Sequence, residues 1–452
     1  MHSFNEDTAV LTNLIVEYIT ARLRLDPVPL DHASEPAMLN ELAPSLINEH
    51  GNEAEAVLAQ FASVLAPAVI SCDSPRFLSF IPAAPTKASL LFDMVVSCSS
   101  LSGVSWLEAA GAIHAENTVL KFLSDLAGLP SGAGGCFVSG GSAGNLSALV
   151  TARDTARRRG HQPTTRRTIA VSEQSHSSII NTANILDVDL FKVDTGPDDR
   201  FTGAAFRAAL ERQPDAVTNL FAAVCTGGTT NAGIVDDFAG VSEVCQQHNL
   251  WLHGDCAYGG AALLAPSVRD RFRGIEHVDS FIVDPHKFLF APFDCAALLY
   301  RDPELARRTH TQDASYLDVI HTDEGGWNPT DYAYHLTRRA RGLPLWFSLA
   351  VHGWGAYQTA IERVLQLARD AAQRIENAQH VELVRAPELS VVVFRRPGWS
   401  DEQYFQWSRN LLQQQVAFVT PSKWHGETVA RFAFLHPETP LTLVDEIIAS
   451  MR

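Results

Sequence analysis

The residues able to do chemistry fall into five short stretches, and one lysine organises them. Residues 281–290 read FIVDPHKFLF, which sets Lys287 just after an apolar strand and inside an aromatic wall. Burial disfavours the charged form of lysine, so Lys287 is a candidate amine nucleophile of the kind that forms Schiff bases with carbonyl compounds. The same placement also suits a snorkelling lysine whose stem packs on Phe288 and Phe290 while its ammonium reaches water. Residues 139–145 (SGGSAGN) join a strand end to a helix start, where unpaired N–H groups bind anions, phosphate above all. A simple helix cap by Ser142 or Asn145 would leave the same trace. The turn is not a Walker loop, since no Lys-Ser/Thr follows, and its spacing is not that of a dinucleotide fingerprint.

Three further turns follow strands. Residues 172–178 (SEQSHSS) put His176 where ligands gather in open α/β sheets. Residues 226–233 (TGGTTNAG) offer hydroxyls either to a ligand or to the turn's own backbone. Residues 253–258 (HGDCAY) close an apolar strand with Asp255, and a carboxylate at that depth needs a cation or a set of donors. Taken singly, each has an ordinary structural explanation. Together they are what pyridoxal 5′-phosphate (PLP) requires: a helix N-terminus for its phosphate, an amine for its aldehyde, a carboxylate for its pyridinium nitrogen and a flat partner for its ring.

Positioning such groups calls for a sheet. Apolar runs at 135–139, 168–171, 188–193, 220–225, 251–255, 280–283 and 295–300 read as strands. Helical spacing fills the intervals at 143–159, 177–186, 203–212 and 237–248, and this alternation predicts a mainly parallel sheet covered on both faces. Upstream, 8–25 and 53–65 read as amphipathic helices, 74–85 (SPRFLSFIPAAP) as an ordered loop, and 87–129 as two helices. Residues 312–341 break the pattern in a polar loop carrying Trp327, Tyr332 and Tyr334. A long helix over 345–377, strands at 381–385, 390–395, 416–420 and 429–435, and helices at 401–415 and 440–450 complete a smaller α+β domain. The expected division is 1–85, a helical dimerisation segment; 86–345, a large α/β domain; and 346–452, the small domain.

Composition narrows the function class. The chain has 452 residues, 46% hydrophobic and 19% charged, with a formal charge of −16. That charge argues against non-specific binding to nucleic acid or anionic membranes. Seven scattered cysteines without a C-x-x-C pair fit a reducing cytoplasm better than a disulfide framework or a metal site. No signal peptide and no membrane-spanning run is expected, which makes a cytoplasmic protein the expectation.

DPHKFLFAPFDCAALLY, SGGSAGNLSAL, SEQSHSS, GTTNAG and HGDCAYGG occur in an order and at spacings that resemble the group II PLP-dependent amino-acid decarboxylases, the aromatic-amino-acid and glutamate decarboxylase family. The likeness runs from the N-terminal helix and SPRF to RFAFLHPET. It implies fold type I, with a seven-stranded sheet, and a homodimer whose active site lies at the subunit interface. It further implies that Lys287 holds PLP covalently, that Asp255 keeps the pyridine nitrogen protonated, and that His176 stacks on the ring and orients the substrate carboxylate. Gly141, Ser142 and His286 would bind the phosphate, while Thr229 and Ala257 would line the ring.

By the same resemblance Tyr332, with Tyr334 close behind, would return a proton to Cα, and Phe77, Phe80 and Val104 would wall the side-chain pocket. The implied reaction is decarboxylation of an aromatic or bulky apolar L-amino acid. The alternatives are an oxygen-dependent aldehyde synthase, a decarboxylase of acidic or diamino acids in which Arg76 meets the side chain, and an aminotransferase using Arg431. Ser74, Asp284 and Phe288 depart from the family's usual histidine, asparagine and tryptophan, and Asp284 beside a phosphate calls for a partner.

Overall fold

The Val-, Ile-, Phe- and Ala-rich runs close into one sheet in the computed structural model, which describes residues 2–320 and 326–452. Its strands are β1 (Gly134–Val138), β2 (Thr168–Ser172), β3 (Asp189–Val193), β4 (Leu220–Thr226), β5 (Trp251–Asp255), β6 (Ser280–Val283) and β7 (Ala296–Tyr300), in the order β1-β7-β6-β5-β4-β2-β3. The five from β3 to β6 are parallel, and β7 runs antiparallel between β6 and β1. Every residue of β4 and β5 is buried, as expected where helices cover both faces.

Strand side chains alternate between two cores. Ala170, Ala223, Leu252 and Phe281 join the larger one, which extends into the C-terminal domain, while Val171, Val224, Ile282 and Leu298 face the other. The topology gathers the carboxyl ends of β1, β2, β4, β5 and β6, with the amino end of β7, on one rim. All five candidate stretches follow those ends.

The C-terminal domain holds a second, antiparallel sheet, β10 (Ser422–Trp424), β11 (Glu427–Ala433), β9 (Val391–Arg395) and β8 (Glu382–Leu383), in that order. The expected helix over 345–377 is two helices, Leu343–His352 and Trp354–Glu376. Gly353 parts them, with φ +73 and ψ 152, a conformation no helix can pass through. Residues 416–420 do not add a strand to this sheet. Instead Phe418 accepts from the Leu78 N–H at 3.0 Å and donates to Arg76 O at 3.0 Å, while the Ala433 N–H reaches Leu78 O at 2.9 Å. The SPRF segment is thus bonded into the far end of the chain, so the division we propose at residue 85 follows chain order rather than contact.

One knot ties the loops above the sheet. Glu116, on the helix Trp106–Leu126, and Arg338 are each 2% exposed and pair at 2.8 Å. Glu116 also accepts the Gly342 N–H at 2.8 Å, and Arg338 Nη1 donates to Gly103 O at 2.7 Å. By contrast the N-terminal helices Glu6–Leu23 and Ala54–Gln60 bury no residue, and Val10, Leu11, Ile15, Val16, Phe61 and Leu65 are exposed. Among the described residues no helix is long and apolar enough to cross a membrane.

Candidate active site

The rim encloses a cavity of about 510 Å³ lined by Gly141, Ser142, His176, Asp255, Ala257, His286 and Lys287. Each of these was expected from the sequence. Their order follows from the sheet, because every one lies within a few residues of a strand's rim end. The cavity also opens onto the first turn of the helix Gly141–Arg158, whose leading N–H groups lack intrahelical acceptors. A glycine is needed at 141: a Cβ there would stand 2.9 Å from Asp284 Oδ2 and 3.2 Å from the Ala257 Cβ.

Asp284, unexplained by the sequence, is 2% exposed. Its Oδ2 lies 3.0 Å from Lys287 Nζ and accepts the Gly141 N–H at 3.3 Å, while its Oδ1 is buried without a partner among the described residues. The acid therefore faces an ammonium and a helix N-terminus, the two positive features of the cavity floor. His286 Nε2 stands 3.6 Å from the same oxygen. The His286 Nδ1 accepts the Cys295 N–H at 3.1 Å, and burial pulls the His286 pKa below the usual imidazole range, so the ring is neutral and carries its proton on Nε2.

Asp255 is held from two sides. Asn145 Nδ2 donates to its Oδ2 at 3.0 Å and the Ala257 N–H to its Oδ1 at 3.3 Å. Behind Asn145 stands His253, fully buried, with Nε2 2.8 Å from Asn145 Oδ1 and Nδ1 2.7 Å from Ser280 Oγ. Burial pulls the His253 pKa down to about 4. In the unfolded chain the ring has its ordinary value, so His253 is neutral in both states at neutral pH, and acidification protonates the unfolded chain first. Stability conferred by the neutral ring is therefore complete above the unfolded pKa and is lost as pH falls through the folded one. Denaturant titrations should show wild type losing about 3 kcal/mol more than His253→Asn over that window. Parallel losses in the two proteins would refute the assignment.

Several expected residues lie elsewhere. Thr229 is buried and its Oγ1 accepts the Ile234 N–H at 3.1 Å, so it closes its own turn and does not line the cavity. Thr226, at the end of β4, lines the cavity in its place, and its buried Oγ1 has no partner among the described residues. Tyr332 is not at the cavity. It is 6% exposed and stacked on Trp327 at 4.2 Å between centroids, its carbonyl accepts from Tyr300 at 3.0 Å, and burial pushes its phenol pKa well up. Tyr334 is 82% exposed. Residues 321–325 of that loop lie outside the described residues.

Phe77 packs on Phe418 at 5.1 Å, Phe80 is exposed, Val104 is half-buried, and none of the three lines the cavity. Arg76 Nη1 is spent on Val416 O at 2.9 Å and Arg431 Nη2 on Phe80 O, which leaves neither arginine facing the cavity. Sequence reasoning missed the roles of Thr226 and Asn145. The one signal for Asn145 was its place one turn beyond Gly141, on the helix face that follows the β1 turn.

The donor set fits PLP: one lysine, a helix N-terminus flanked by hydroxyls, a buried carboxylate in a donor cradle, and an orphaned Thr226 hydroxyl awaiting a partner.

Comparison with known proteins agrees with this reading. Residues 36–396 match the family described as the pyridoxal-dependent decarboxylase conserved domain. An aromatic-L-amino-acid decarboxylase of Cavia porcellus is 31% identical over 384 residues, covering 80% of this chain and 80% of that protein. Its namesake in Bacillus atrophaeus is 27% identical over 387 residues, covering 85% and 79%. Among solved structures, Oryza sativa TDC with PLP and tryptamine superposes with TM-score 0.91 at 23% identity, covering 100% of this chain and 98% of that one. Mouse CSAD gives 0.87 at 22%, covering 98% of each chain. These last two likenesses speak to the fold.

Proposed function

The chain belongs to the pyridoxal-dependent decarboxylase family and is a PLP-dependent carboxy-lyase, and from that premise we propose that it releases CO₂ from an aromatic or bulky apolar L-amino acid. The observation that carries the site assignment is the meeting of Lys287, Asp255 and His176 around one cavity at a helix N-terminus. Lys287 would hold PLP through Nζ, Ser142 and the leading N–H groups of the helix would take the phosphate, and the Thr226 hydroxyl would be available as a further donor. When bound, PLP supplies an electron-withdrawing ring that accepts the electrons of the breaking Cα–carboxylate bond. Asp255 keeps a proton on the pyridine nitrogen, which raises that pull. His176, whose Nδ1 is taken by Ser178, would pack on the ring and offer its Nε2 proton to the substrate carboxylate. Among the described residues of one chain, the cavity-lining groups able to return a proton to Cα are Lys287 Nζ and His176 Nε2.

The apolar preference rests on Phe80 and Val104, which would reach the site only from a second copy, with Phe77 buried behind Phe80. The exposed Val10, Ile15, Phe61 and Leu65 support such a homodimer, since apolar patches of this kind mark association surfaces. The buried attachments of Arg76 and Arg431 favour neither an acidic substrate nor transamination.

One observation favours a second reading. Neither Tyr332 nor Tyr334 lines the cavity of its own chain; where no tyrosine reaches it from a second copy either, oxygen intercepts the decarboxylated substrate, so that amino acid, O₂ and H₂O give aldehyde, CO₂, NH₃ and H₂O₂. A single experiment addresses these points: CO₂, amine and peroxide are measured for aromatic, acidic and diamino acids, using the fraction whose sedimentation mass is that of a dimer. Amine matching CO₂ for an aromatic substrate is expected. Peroxide matching CO₂ would install the second reading, turnover of acidic substrates alone would overturn the first, and a fully active monomer would remove the dimer.

A further inference from the structure

Behind the cavity runs a hydrogen-bonded chain in which every proton can be assigned. Trp251 Nε1–H, a group that only donates, reaches Ser280 Oγ at 2.8 Å. Ser280 Oγ lies 2.7 Å from His253 Nδ1, and His253 Nε2 lies 2.8 Å from Asn145 Oδ1. Asn145 Nδ2 then divides its two protons between Asp255 Oδ2 at 3.0 Å and Ser178 Oγ at 2.9 Å. Ser178 Oγ is in turn 2.9 Å from His176 Nδ1, which also accepts the Ser178 N–H at 3.2 Å.

Both ends force the direction. A carboxylate only accepts, so the Asn145 amide must point its nitrogen at Asp255 and its oxygen at His253. His253 then donates from Nε2, accepts at Nδ1 and takes the Ser280 hydroxyl proton, which leaves Ser280 Oγ free to accept from Trp251. At the other branch a backbone N–H already points at His176 Nδ1. That nitrogen is therefore an acceptor, Ser178 donates to it, and the His176 proton sits on Nε2. Reversing any link would leave two donors or two acceptors facing each other in a buried site, at the cost of a desolvated polar group. Asn145 is 1% exposed and His253 is fully buried, so solvent does not substitute for a missing link.

We propose that Asn145 is a positioning residue that ties Asp255 and, through the Ser178 hydroxyl, His176 Nδ1 into one hydrogen-bonded arrangement. The inference rests on the roles proposed above for those two residues. Its particular content is that the Asn145 amide acts as a double donor, a demand that packing alone does not make. Aspartate keeps the shape of asparagine and the acceptor facing His253, but turns both donors into acceptors. In Asn145→Asp the Ser178 hydroxyl turns to the new carboxylate, His176 Nδ1 loses that donor, and two carboxylates face each other at the Asp255 branch. Asn145→Ala removes the donors without adding a charge.

The test uses the full-length protein with ¹⁵N-labelled histidine, His176→Gln identifying the resonance, together with equilibrium titration by PLP. Wild type should show His176 as a single neutral tautomer protonated on Nε2. Asn145→Asp should keep that tautomer, because the Ser178 N–H still points at Nδ1, but shift the His176 Nδ1 resonance as the Ser178 hydroxyl leaves it, and should bind PLP at least tenfold more weakly, with Asn145→Ala between it and wild type. If Asn145 only fills space, the order reverses, with Ala the weaker binder and Asp near wild type. That order, or an unchanged His176 signal in Asn145→Asp, would overturn the proposal. The underlying reading has its own control in the same titration: if borohydride fails to fix PLP to Lys287 in wild type, that reading fails whatever the Asn145 variants do.

Discussion

Lys287→Ala is expected to lower kcat/KM by about four to six orders of magnitude, the scale on which enzymes lose activity when a covalent group is removed. The chain contains five lysines, and Lys87, Lys121, Lys192 and Lys423 are all exposed. Lys287 alone lines the cavity, 3.0 Å from Asp284. No neighbouring amine stands in for it, so the loss should not be masked by a substitute. Removing the ammonium leaves Asp284 with the Gly141 N–H and a weak contact to His286, a buried carboxylate with too few donors. A fold defect could then mimic a catalytic one. Lys287→Ala/Asp284→Asn, which removes both charges, separates the two: it should restore thermal stability without restoring CO₂ release. Peptide mass spectrometry after borohydride should find PLP on Lys287 in wild type and on no lysine in either variant. CO₂ release within tenfold of wild type in the single variant would defeat the assignment.

What the sequence made legible was whatever a strand end decides locally. Lys287, Asp255, His176, Gly141, Ser142, Ala257 and His286 each sit on a turn after a recognisable apolar run, and parallel strands bring such turns to one rim whatever the detailed packing. Thr229 and Thr226 show where this stops. Both are hydroxyls of one turn, and only the folded loop decides that the first bonds Ile234 while the second faces the cavity. Tyr332 lies away from the cavity of its own chain for a reason no turn pattern carries: its ring stacks on Trp327 and its carbonyl accepts from Tyr300 on β7. Phe77, Phe80 and Val104 belong to segments bonded to the C-terminal domain and to Arg338, contacts across hundreds of residues that no local pattern encodes. Asp284 was the opposite case. Its identity was plain, and its explanation waited on the position of Lys287 Nζ.

Asp255 supplies the second large effect. Asp255→Asn should reduce kcat/KM by about two to three orders of magnitude, as removal of one preorganised electrostatic partner does. Nearly the whole loss should fall in kcat, because the carboxylate works on charge that develops as CO₂ leaves rather than on substrate affinity. The carboxylate is 4% exposed and cradled by Asn145 and the Ala257 N–H, so its charge acts in a site that water does not screen. PLP should remain reducible onto Lys287, which tells this variant apart from Lys287→Ala. Asparagine retains one oxygen, so its amide can still accept from Asn145, with its nitrogen in the place of Oδ1 and only the longer Ala257 bond given up. Alanine cannot, and Asp255→Ala would strand the Asn145 donor at about 1–3 kcal/mol. The two variants should therefore be similarly slow but unequally stable, Ala melting below Asn. Equal melting with unequal turnover would mean that Asp255 acts through shape and not charge, and an Asp255→Asn enzyme with wild-type kcat would remove it from the reaction altogether.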